Sequence, residues 1–100
     1  MIQRIVKLTI QPDYTADFIR IFYETQPVIR QFSGCKGVEL LYDINKPEQY
    51  FTLSYWLSED DLENYRTSPF FKETWTKVKP LFSEKAEAWS LNTATKPSES

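Results

Sequence analysis

The feature that most constrains this chain is the way its hydrophobic spacing changes along the sequence. Val6, Leu8 and Ile10 alternate with polar residues, a period of two that marks a strand, and Gln11-Pro12-Asp13 ends it. From Tyr14 to about Gln31 the spacing becomes helical. Phe18, Phe22 and Ile29 make one stripe, widened by Ile21 and Val28. Pro27 predicts a kink in this helix or a break near Thr25. Ser33-Gly34 is the stop, with Gly34 free to take the left-handed conformation. Gly37 to Ile44 reads as a second strand and Tyr50 to Trp56 as a third. The turn between them, Asn45 to Glu48, is short enough to predict an antiparallel hairpin. Ser58-Glu59-Asp60-Asp61 is close to a capping box, and Ser68-Pro69 is a second helix start. Helix then runs to about Val78, where Pro80 limits it, and Ala86 to Asn92 makes a fourth strand.

The order strand, helix, strand, strand, helix, strand predicts an α+β, ferredoxin-like fold, with four antiparallel strands and helices on one face. Residues 1–92 form the expected domain, and 93–100, with Ala94 as their one apolar residue, a flexible polar tail. A chain of 100 residues, 41% of them hydrophobic, can build one modest core. The helices leave one sheet face bare, and a second copy of the chain would cover it. A homodimer is therefore expected.

Composition narrows the chemistry. A net charge of −2 gives no reason to expect nucleic acid or an anionic membrane as partner. The chain has no histidine, which removes Ser-His-Asp and Cys-His catalysis, His-ligated zinc and His-ligated haem. Cys35 is the single cysteine, read as a buried packing thiol. With no long apolar run and no signal-peptide pattern, a cytoplasmic location is expected. Two glycines, Gly34 and Gly37, cannot make a phosphate-binding loop. The acidic run Glu59, Asp60, Asp61 and Glu63 suits a helix start better than a metal site. Lys72, Lys77 and Lys79 read as a solvated helix face.

The third strand holds the functional signal. Tyr50, Thr52, Ser54 and Trp56 share one side, and Phe51, Leu53 and Tyr55 the other. Beside that first row the helices offer Leu62, Tyr65, Phe70, Phe71 and Trp75, enough to wall a pocket for a flat aromatic molecule. The plainer alternative is that these rings only fill a small core.

Two stretches carry a family likeness. Phe32-Ser33-Gly34-Cys35-Lys36-Gly37-Val38-Glu39-Leu40 resembles the Gly-Cys-x-Gly lead-in to the second strand of the antibiotic biosynthesis monooxygenase family. Tyr50 to Phe71 resembles that family's strand, Trp and helix signature. The resemblance runs from about Ile2 to Asn92 and implies a dimeric α/β barrel. Some members of the family oxygenate quinols and polyketide-like phenols without metal or flavin, and others degrade haem. The haem-degrading pattern of Asn, Trp and His falls on Val6, Tyr65 and Trp75 here, which argues against haem. The cofactor-free pattern keeps Trp56, but its Asn and Tyr fall on Thr52 and Leu62, and a frequent histidine falls on Tyr65.

What the resemblance implies is a homodimeric monooxygenase, independent of metal or other cofactor, acting with molecular oxygen on a quinol or other electron-rich aromatic. In that reading Trp56 stacks on the ligand, Thr52, Ser54 and Tyr65 hydrogen-bond its oxygens, and Phe71 and Trp75 exclude water. Tyr50 and Leu62 complete the lining. The alternative is a non-catalytic barrel that binds a small molecule in the same pocket. A third reading is a structural role, with the pocket filled by its own rings.

Overall fold

A computed structural model describes residues 1–95. Strand β1 (Ile2–Thr9) passes through a 3-10 turn at Pro12–Tyr14 into helix α1 (Thr15–Arg30). Strands β2 (Cys35–Asp43) and β3 (Lys46–Trp56) follow, then helices α2 (Glu59–Arg66) and α3 (Pro69–Val78). A second 3-10 turn, Lys79–Leu81, leads to strand β4 (Glu87–Asn92). The sheet order is β2-β3-β1-β4 and every neighbouring pair is antiparallel, which is the ferredoxin-like arrangement. No helix among the described residues is long and apolar enough to cross a membrane.

Local chemistry explains the punctuation. Ser58 caps α2 by accepting from the Asp61 backbone N–H at 3.2 Å, and Ser68 caps α3 by accepting from Phe71 N–H at 3.1 Å. Pro69 stands in the first turn of α3, where its missing N–H costs no helical bond. Gly34 has φ +82°, and a Cβ there would run into the Asp61 carboxylate, so only glycine fits this corner without displacing α2. Its carbonyl accepts from Leu57 N–H at 2.9 Å, fixing the corner to the end of β3.

Two expectations are corrected. Helix α1 is not broken near Thr25 but continues through Pro27. The carbonyl that Pro27 leaves without a donor belongs to Tyr23, a residue 76% exposed, where water can replace the lost bond. The hairpin turn is tighter than Asn45–Glu48: Ile44 and Asn45 form it, and Asp43 pairs with Lys46. The next pair is Tyr42 with Tyr50, so Pro47, Glu48 and Gln49 bulge out of the β2–β3 ladder, where Pro47 needs no hydrogen bond, while Gln49 still pairs with Thr9 of β1. The Thr93 hydroxyl accepts from the Gln3 amide at 3.4 Å. Residues 96–100 of the expected tail lie outside the described residues.

The core divides in two. Leu8, Ile10, Phe18, Tyr50 and Val78 form one buried cluster. Ile29, Cys35, Trp56 and Leu62 form the other, with Ile2, Phe32, Val38, Tyr65 and Phe70 packed against it. The opposite sheet face carries Ile5, Phe51, Leu53 and Tyr55, half-buried, and Leu41, Trp89 and Leu91, each more than 40% exposed. Among the described residues no helix lies over that face.

Candidate functional site

Between the two core clusters lies a cavity of about 380 Å³. The register of the sheet explains why it is hollow. Along the helix-facing row of β3, Tyr50 and Trp56 are buried at the ends, while Thr52 and Ser54 between them are short. Opposite Thr52 stands Val6, and opposite Val6 on the other side stands Ala88. The helices rest on the large residues at both ends, so the middle of the layer is not filled. Arg4, Val6 and Leu8 of β1 join Thr52 and Ser54 as the floor. Phe18, Phe22 and Thr25 of α1 form one wall, and Leu62 and Tyr65 of α2 with Phe71, Thr74 and Trp75 of α3 form the other.

The α2–α3 corner aligns the aromatic wall. The Ser68 hydroxyl donates to the Tyr65 carbonyl at 2.6 Å while capping α3, so Tyr65 and Phe71 meet edge to face with ring centres 5.1 Å apart. Phe71 stacks on Trp75 at 6.0 Å, and Trp75 meets Phe82 edge-on at 5.4 Å. On its other side Tyr65 stacks on Trp56 at 5.0 Å, with 21° between the planes.

That stack corrects the expected place of Trp56. Its ring is fully buried, with 0% exposure, behind Tyr65 and outside the cavity lining. Tyr65 occupies the face on which a ligand was expected to stack. Trp56 instead donates its Nε1–H to the Ser54 Oγ at 2.9 Å, which leaves the Ser54 O–H to donate elsewhere. Tyr50 is also outside the lining, since its ring packs on Phe18 at 5.1 Å. Phe70 turns away to Phe32, 5.9 Å between ring centres. Thr52, Ser54, Leu62, Tyr65, Phe71 and Trp75 are brought together around the cavity.

The lining hydroxyls act as donors rather than bases, and the one lining carboxylate, Glu87, pairs with Lys7 at 3.4 Å. Burial above all, and then the nearby Cys35, push the Tyr65 phenol well above its ordinary value, so it stays protonated. The hydroxyls of Tyr65, Thr52 and Thr74 have no hydrogen-bond partner among the described residues, whereas Thr25 donates to its own helix at the Phe22 carbonyl, 3.1 Å away. Such hydroxyls can hold the oxygens of a bound ring. Among the described residues no three acidic or cysteine side chains converge where a metal could sit. The acidic start of α2 serves the helix terminus, as the sequence suggests.

Among the lining residues that the sequence reading missed are two cations, Arg4 and Arg66. The signal for Arg4 was parity: it shares the even-numbered side of β1 with Val6 and Leu8, a charge on a core-facing row. Arg66 sits four residues after Leu62 and so shares its helix face.

An antiparallel sheet covered on one face by helices, with a cavity between the layers, defines a ferredoxin-like α+β domain. Residues 1–77 match the antibiotic biosynthesis monooxygenase family, and the chain belongs to that family. Solved structures agree. A proposed antibiotic biosynthesis monooxygenase of Bordetella bronchiseptica is 27% identical, with 94% of this chain and 97% of that one covered at a TM-score of 0.84. The SnoaB cofactor-independent oxygenase of Streptomyces nogalater, in a singly substituted form, is 18% identical over 98% and 97% of the two chains, TM-score 0.85. At that identity the likeness is one of fold. No curated protein matches the chain.

Proposed function

We propose that this protein is a cofactor-independent monooxygenase acting on a quinol or other electron-rich phenol, bound flat in the cavity between sheet and helices. The observation that supports this most directly is the cavity itself: about 380 Å³, walled by Phe22, Leu62, Phe71 and Trp75, with the hydroxyl-bearing residues Thr52, Ser54 and Tyr65 in its lining. Its volume lies at the lower end of the range of about 300–1,000 Å³ for small-molecule sites. A reading in which the protein's own rings fill the space does not account for it.

The reaction needs no outside reductant. A quinol with a free ring C–H and one O₂ give a hydroxyquinone and one water; one oxygen atom enters the C–H bond and the other leaves as water. The substrate supplies all four electrons, first passing one to oxygen from its ionised form. The protein's part is to bind the ring, hold its oxygens and exclude water. Tyr65, held protonated by burial, acts as a hydrogen-bond donor to a substrate oxygen. Ser54 donates beside it, oriented by the Trp56 N–H, so Trp56 is a positioning residue.

Oxygen uptake by metal-stripped protein over a panel of quinols, naphthols and anthrone-like phenols tests this. Turnover above spontaneous oxidation, consuming one O₂ per substrate without releasing peroxide, is the expected result. Tight stoichiometric binding with no product after long aerobic incubation would instead establish the binding-barrel alternative, which the absence of histidine favours.

The bare sheet face supports a homodimer. A second copy covers Phe51, Leu53, Trp89 and Leu91, which leaves the cavity on the far side of the sheet in each copy. Sedimentation equilibrium is expected to give a dimer, and Leu53→Lys, which places a charge in the middle of that face, a folded monomer. A native protein that sediments as a monomer at micromolar concentration would refute the assembly.

A further inference from the structure

The cavity has a cationic end that the phenol-binding reading does not use. Arg4 and Arg66 both line it, from β1 and from the last turn of α2. Arg4 stands in the sheet between Ser54 and Ser90 on the helix-facing side, and its Nη1 donates to the Ser90 Oγ at 2.9 Å. The nearby acids are already engaged. Glu63 accepts from Arg66 at 2.9 Å, and Glu87 pairs with Lys7 at 3.4 Å. Among the described residues Arg4 has no ion pair of its own, so this end holds one more cation than anion.

Arg4 is costly where it is. Burial first, and repulsion from Arg66 second, lower its pKa, while Glu63 only partly opposes them. An apolar residue would suit the row of Val6 and Leu8 better, and the single hydrogen bond to Ser90 does not require a charge. A pair of guanidinium groups that repel each other at the end of an apolar cavity becomes favourable once an anion lies between them.

We infer that the ligand is an aromatic carboxylate, its ring in the cavity and its carboxylate held by Arg4 and Arg66. This rests on the reading of the cavity as a site for a flat aromatic molecule and specifies which aromatic it takes. The planar guanidinium fork matches a carboxylate bidentately, and the low polarity of the surrounding walls strengthens the attraction.

Two probes that differ only in the carboxylate test it, 6-hydroxy-2-naphthoate and 2-naphthol, titrated calorimetrically into the full chain at neutral pH. The naphthoate is expected to bind at least tenfold more tightly. That advantage should shrink as salt is raised. It should also disappear in Arg66→Gln and in Arg4→Gln, each of which should weaken the naphthoate far more than the naphthol. Arg66 is a surface helix residue, so Arg66→Gln keeps the test valid even if Arg4→Gln weakens the β1–β4 contact. Equal affinity for the two probes, or an advantage that survives both substitutions, would overturn the carboxylate assignment and leave the cavity reading standing. Binding of neither probe would remove both.

Discussion

Trp56→Ala is expected to lose about 3–5 kcal/mol of unfolding free energy, the usual cost of emptying a fully buried Trp site. Domains of this kind are stable by about 5–15 kcal/mol in all, so the variant stands near the edge of folding. The indole is fully buried, stacks on Tyr65 and anchors the cluster of Ile29, Cys35 and Leu62 at the end of β3. Its removal takes away the support on which the α2 end of the layer rests. Urea unfolding followed by far-ultraviolet circular dichroism measures the loss. A change below about 1 kcal/mol would show that the ring is not the anchor argued above. Trp56→Phe separates packing from chemistry. It keeps a ring against Tyr65 and deletes the N–H that Ser54 accepts, so the fold should persist while substrate turnover falls.

Tyr65→Phe should have the opposite profile. The ring contacts with Trp56, Phe32 and Phe71 survive, and the hydroxyl has no partner among the described residues, so stability should change by less than about 1 kcal/mol. Turnover should fall by about 10²–10³, the effect of removing one donor to a developing negative oxygen. Steady-state oxygen uptake on the best substrate from the panel reads this, and an unchanged rate would remove Tyr65 from the mechanism. The variant also has a signature that does not depend on substrate. The folded-state pKa of Tyr65 lies above its unfolded value of about 10. Its stabilisation is therefore full below pH 10 and is lost as pH rises from there through the folded value, because the unfolded chain ionises first. Tyr50 is raised too, by burial and then Glu48, and acts in the same direction. Tyr65→Phe should thus flatten, but not abolish, the alkaline fall in unfolding midpoint.

Much of the fold could be read from spacing because the signals are local. Val6, Leu8 and Ile10 show the strand period within five residues, and Ser58, Ser68 and Pro69 mark helix starts whose capping bonds span three residues. Gly34 was legible for the same reason, since a positive φ is a property of one residue and its neighbours. The alternative of a break near Thr25 failed because a proline costs a helix one bond, and sixteen residues of packed, amphipathic α1 outweigh it when water can reach the freed carbonyl. The hairpin turn failed by a few residues because a bulge, invisible to periodicity, absorbed Pro47.

The candidate site divides along the same line. Period two placed Thr52, Ser54 and Trp56 on one side of β3, and the helices beside that row offered Leu62 and Tyr65. Parity gives the side of a sheet but not the depth at which a side chain lies. Whether Trp56 faced a ligand or the back of Tyr65 depended on how α2 packs on β3. The cationic end likewise required Arg4 and Arg66, sixty-two positions apart in the chain, to meet across one cavity. Local residue patterns set the elements, their order and which residues could face inward, because these follow from covalent geometry and periodicity. The tertiary structure alone decided which of those residues fill the core, which line the hollow and which charges share it, because each outcome depends on neighbours that only the packed layers supply.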